Sequence, residues 1–111
     1  MTIVNAHEFM MLAHSSRPIP MLNELSGKYR DGVTDKQKAF LRSMGIGVAQ
    51  IKYKGQASVV INLAIKRRDY GLATPGQMRA LAAAGVKNVN MITYKQAFQI
   101  LGAEGGNYET L

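Results

Sequence analysis

The sequence predicts a mainly α protein, a small helical domain in which two tandem helix-connector-helix repeats follow short N-terminal helices. Three observations predict it. Displacing the chain on itself by 40 residues aligns two segments without a gap, with identities at Thr34/Thr74, Gln37/Gln77, Leu41/Leu81, Gly45/Gly85, Gln56/Gln96 and Ala57/Ala97. Each identity falls where a helix needs a cap, a buried contact or a stop. The apolar matches Ile46/Val86, Ile51/Met91, Val60/Ile100 and Ile61/Leu101 continue the register through the connector and the second helix. No substantial sheet is expected.

The first 33 residues form an N-terminal helical segment outside the repeat. Ala6 to His14 reads as one short helix with apolar Phe9, Met10 and Leu12, ended by Ser15, Ser16 and the Pro18, Pro20 pair. Met21 to Tyr29 reads as a second. Repeat 1 spans 34–73 and opens with Thr-x-x-Gln, the capping box in which a Thr hydroxyl and a Gln side chain satisfy each other's orphan backbone donors. Leu41 and Met44 then form a buried stripe, and Gly45 stops the helix as a left-handed cap.

Ile46, Val48 and Ile51 anchor the connector, and a second helix starts near Gln56. Tyr53 stands where a hydroxyl cap is expected, so Lys54, Gly55 or water must meet the free donors. Ala57, Val60, Ile61, Ala64 and Ile65 keep this helix amphipathic as far as Lys66, Arg67 and Arg68, before Gly71 breaks it. Repeat 2 spans 74–103. Pro75 occupies the first helical position after Thr74, where its missing N–H is harmless. Leu81 and Ala84 are the buried stripe, Gly85 the stop, and Val86, Val89 and Met91 the connector anchors. Thr93-Tyr-Lys-Gln96 is another capping box. Residues 104–111 read as a flexible tail, so the whole is one compact domain.

At 111 residues the chain has room for a single modest core and no two-lobed cleft. No apolar run reaches the ~20 residues of a membrane span, and cysteine is absent, excluding disulfides and thiolate chemistry. A cytoplasmic protein of a bacterial host cell, without membrane contact, is the expectation. Charge is uneven: residues 1–35 sum to −1, residues 36–103 carry eleven cations against Asp69 alone, a net of +10, and Glu104 and Glu109 follow. A middle region this basic attracts polyanions at long range.

Lys36, Lys38, Arg42, Lys52, Tyr53, Lys54, Lys66, Arg67, Arg68 and Arg79 are therefore the candidate nucleic-acid contacts. Lys52-Tyr53-Lys54 offers phosphate contacts beside an aromatic face suited to single strands, and Lys66-Arg67-Arg68 ends a helix in three cations. The plainer alternatives are that Tyr53 packs beside the connector and that the three cations complement the helix C-terminus. Gln37, Gln77 and Gln96 are read as capping partners, not base readers. His7 and His14 lie about two turns apart, roughly 10 Å, too far to share one metal ion. No nucleophile motif or carboxylate pair stands out. Neither an enzyme nor a metal or other cofactor is expected.

Arg67-Arg68-Asp-Tyr-Gly-Leu-Ala-Thr-Pro-Gly-Gln77 through Leu81 and Gly85, then Thr93-Tyr-Lys-Gln-Ala97, resembles a short repeated segment near the C-termini of phage and bacterial DEAD/DEAH-type helicases and related DNA-processing proteins. The resemblance covers residues 34–101. It implies an accessory of nucleic-acid metabolism, because in those proteins the segment lies outside the motor. The motor's Gly-x-x-x-x-Gly-Lys-Ser/Thr loop is absent from this chain. Two functions are expected from these readings: a non-enzymatic DNA- or RNA-binding accessory, or an adaptor or inhibitor of anti-defence type. The latter would dock on a protein in a helicase, nuclease or defence complex through the Met-rich N-terminal third or exposed repeat faces.

Overall fold

The computed structural model describes residues 3–102; the tail at 104–111 lies outside them. Five helices and one small parallel sheet make up the described residues. The order is β1 (Val4–Asn5), α1 (Ala6–Leu12), α2 (Asp35–Ser43), β2 (Ile46–Gly47), α3 (Lys54–Asp69), α4 (Pro75–Ala83) and α5 (Tyr94–Leu101), with 3-10 turns at Leu22–Glu24, Gly27–Arg30 and Val89–Met91.

Capping chemistry sets the helix starts. Thr34 Oγ1 accepts from Gln37 N at 3.1 Å while Gln37 Oε1 accepts from Thr34 N at 3.1 Å. The same reciprocal pair opens α4 at Thr74 and Gln77 and α5 at Thr93 and Gln96. At α3 half of the device operates: the Tyr53 side chain makes no cap, but Gln56 Oε1 accepts from both Lys52 N and Tyr53 N. Lys54 N donates to Asp31 O at 2.7 Å. The predicted stops hold, with Gly45, Gly71 and Gly85 at φ of 76°, 67° and 85°, where a Cβ would be strained.

Paired helices start side by side. Gly32 bridges Tyr53, so α2 and α3 begin next to each other; Leu72 bridges Thr93 and does the same for α4 and α5. Tyr94 N donates to Gly71 O at 2.8 Å, as Lys54 N does to Asp31 O. Gln37 Nε2 reaches across to Lys54 O and Ser58 Oγ, tying the first turn of α2 to that of α3.

The N-terminal third differs from expectation in two places. α1 ends at Leu12, short of His14, which adopts φ 52°, so His7 and His14 do not share a helical face. Met21 to Tyr29 is not a helix but two 3-10 turns, because Gly27 at φ 55° cannot continue a right-handed one. The segment clamps the rest. β1 pairs in parallel with β2, Val4 against Ile46, and α1 packs on α4. Pro20 O accepts from Gln56 Nε2 at 2.9 Å, and Leu25 and Tyr29 lie against Gly55 at the start of α3.

One core results. Phe9, Leu41, Ile46, Met78 and Leu81 are its largest fully buried apolar side chains, followed by Val4 and Val60. α3 runs through the middle and is buried at Gly55, Gln56, Ala57, Val59, Val60, Ala64 and Arg67, an arc of roughly 200° at 100° per residue, wider than a simple amphipathic stripe. Two expected core positions lie outside it: Ala84 caps α4 in solvent, and Met91, at the end of a 3-10 turn, is 71% exposed.

Candidate nucleic-acid interface

The ten candidate residues separate into three kinds of place. Lys36 and Lys38 at the start of α2, and Lys52 and Lys54 at the start of α3, are brought into one region by the Gly32–Tyr53 bridge and the Gln37–Lys54 contact. Lys36 and Lys52 are exposed, Lys38 and Lys54 half-buried, and none of the four forms an ion pair among the described residues. Asp31 and Asp35 share this region, leaving these six groups at a net +2. Tyr53 is half-buried in the bridge to Gly32, which fits the connector-packing alternative better than an open stacking face.

Around α2 the cations fall on two flanks. Lys36 and Phe40 are one turn apart on one side, and Lys38 and Arg42 one turn apart on a side about 160° away. Arg42 is exposed.

Lys66, Arg67 and Arg68 are not a patch, because consecutive positions on a helix diverge by about 100°. Lys66 points to solvent. Arg68 swings to the opposite flank, where its guanidinium carbon lies 5.9 Å from the centroid of the Phe40 ring and its Nε 3.7 Å from Asp69 Oδ1. Arg67 goes inward and is only 4% exposed. It falls in register with Val60 and Ala64, and its NH1 and NH2 donate to Asn90 O at 3.0 Å and Ala73 O at 3.1 Å. Arg67 is thus withdrawn from the interface: it joins the end of α3 to the segments that precede α4 and α5. The spacing 60, 64, 67 was the signal for this, since i, i+4, i+7 is one helical stripe.

Arg79 is also engaged internally. Its NH1 donates to Ile3 O at 3.0 Å and its Nε lies 3.5 Å from Glu8 Oε1, so it fastens β1 and α1 to α4. Half of its side chain stays exposed. What remains open to a polyanion is Lys36, Lys38, Arg42, Lys52, Lys54, Lys66 and Arg68, joined by Lys87 and Lys95, exposed in the second half. Gln77 is fully buried and Gln37 partly so, in keeping with their capping role.

Among the described residues no helix is long and apolar enough to cross a membrane, and no group of three or more His, Asp or Glu is placed to hold a metal ion. Comparison of the chain with family models, with curated proteins and with solved structures finds no match.

Proposed function

We propose that this chain is a non-enzymatic nucleic-acid-binding accessory of phage or bacterial DNA metabolism, built on a duplicated two-helix unit and holding phosphates through its basic surface. The observation that carries this is the imbalance of residues 36–103. The acids there reduce to Asp69, while six of the candidate and neighbouring cations, Lys36, Arg42, Lys52, Lys66, Lys87 and Lys95, are exposed and lack an ion-pair partner among the described residues, as does the half-buried Lys38. Such a surface attracts a polyanion and releases its counterions on binding.

Support for the duplication comes from the offset of 40 residues at which backbone contacts recur: Gly32–Tyr53 with Leu72–Thr93, Asp31–Lys54 with Gly71–Tyr94, and the capping pairs at Thr34 and Thr74. Titration by fluorescence anisotropy against labelled single- and double-stranded DNA and RNA, at low and moderate salt, tests the reading. Micromolar or tighter binding that weakens with salt supports it; no binding of any of them at low salt overturns it.

The second reading, an adaptor or inhibitor docking on a host nucleic-acid enzyme, is favoured by a separate observation. Met11 is 70% and Met21 66% exposed, with Leu22 and Tyr29 also exposed in the same N-terminal third. Flexible thioethers suit an adaptable apolar contact. A complex that survives high salt distinguishes this from phosphate binding.

A further inference from the structure

We propose that Arg68, held over the ring of Phe40, is a stacking platform for an unpaired base, so that the nucleic acid bound by this protein is single-stranded. The inference rests on the nucleic-acid reading above and deepens it. Most exposed cations here are lysines on flexible stems, which act as point charges and do not tell a duplex from a strand. Arg68 is different. Its guanidinium carbon sits 5.9 Å from the Phe40 centroid, across the contact between α3 and α2, and its Nε lies 3.7 Å from Asp69 Oδ1. The guanidinium is thus within reach of a ring and a carboxylate, yet 41% of the side chain remains in solvent.

A guanidinium plane already beside a ring loses less freedom when a base stacks on its open side. Lys36, one turn before Phe40 on the same flank of α2, is exposed and placed to meet a phosphate of the same strand. Bases inside a duplex have no free face to offer such a platform, whereas those of a single strand do. The pairing with Asp69 is long and exposed, so it contributes little and leaves the guanidinium free to stack.

The decisive variant is Arg68→Lys, which keeps the charge and removes the plane. It is measured by fluorescence anisotropy against a labelled oligothymidine, the oligouridine equivalent, an abasic oligonucleotide of equal length and a duplex. The result expected is preference for the base-bearing strands over both abasic strand and duplex. Arg68→Lys should weaken binding to the oligothymidine roughly tenfold or more, while the salt slope stays that of the parent.

Tyr70→Ala serves as a contrast, because Tyr70 is 69% exposed but lies about 160° from Arg68 around α3; it should bind the oligothymidine as the parent does. Equal affinity of Arg68→Lys and the parent, equal affinity for abasic and base-bearing strands, or loss on Tyr70→Ala alone would overturn the platform and leave phosphate binding standing. Failure to bind any probe at low salt would overturn both. The two oligonucleotide chemistries decide between DNA and RNA.

Discussion

Replacing Arg67 by Met should unfold the protein more easily while leaving every exposed cation in place. The guanidinium is buried and donates to two backbone carbonyls, Asn90 O and Ala73 O, that no substitution can remove. A charged donor to a carbonyl contributes about 1.5–3 kcal/mol, and each acceptor left buried without its donor costs about 1–3 kcal/mol. Against this stands relief from burying a cation, which makes some buried charges no better than an apolar side chain of similar volume. The balance is a loss of about 2–4 kcal/mol, a large part of the ~5–15 kcal/mol that holds a domain of this size.

At roughly 4 °C per kcal/mol, the melting temperature should fall by about 8–16 °C. Calorimetry and urea unfolding of Arg67→Met beside Arg68→Ala provide the assay, the second variant being expected to shift stability by less than about 0.5 kcal/mol because its site is at the surface. Refutation would be an Arg67→Met protein as stable as the parent. That result would mean that the contacts to Asn90 and Ala73 do not join the end of α3 to the second helix pair.

Three further predictions follow from local geometry. Gly55→Ala, which at an open helix site would stabilise by about 1 kcal/mol, should here destabilise, because the new Cβ would lie 2.5 Å from Leu25 Cδ2 and 3.1 Å from Tyr29 Cβ; faster proteolysis or amide exchange within residues 20–31 is the readout. Thr74→Ala removes a buried cap from Gln77 N and should cost about 1–2 kcal/mol in chemical denaturation, more than Thr93→Ala at the more exposed start of α5. Glu8→Gln should cost about 0–1 kcal/mol at low salt and nothing at high salt, since its pairing with Arg79 is partly solvated.

Local signals were legible in the sequence where they depend on neighbours three or four residues away. Thr34, Thr74 and Thr93 cap as their Thr-x-x-Gln spacing predicts, and Gly45, Gly71 and Gly85 stop helices because a positive φ is their ordinary use. The N-terminal third was less legible, since its conformation is set by what it covers. Leu25 and Tyr29 seat on Gly55, and Pro20 O meets Gln56 Nε2, contacts between residues far apart in the chain. The same long-range logic divides the candidate interface. Lys66, Arg67 and Arg68 are one run in sequence but solvent, core and ring contact in space, because helical phase sends neighbours to different sides. Arg79 carried no sequence sign that its partners would be Ile3 O and Glu8.

Phosphate contact by this basic surface is tested most directly by the salt dependence of binding for the parent and for a Lys36→Gln, Lys38→Gln, Lys52→Gln variant, with an oligothymidine as ligand. These three cations lie at or beside the adjoining starts of α2 and α3 and form no ion pair among the described residues. Phosphate binding predicts a log–log slope of several units for the parent and a slope shallower by about 2 for the variant, at roughly 0.7 per lost phosphate contact on a single strand. A parent slope near zero, or a variant indistinguishable from the parent, would contradict it.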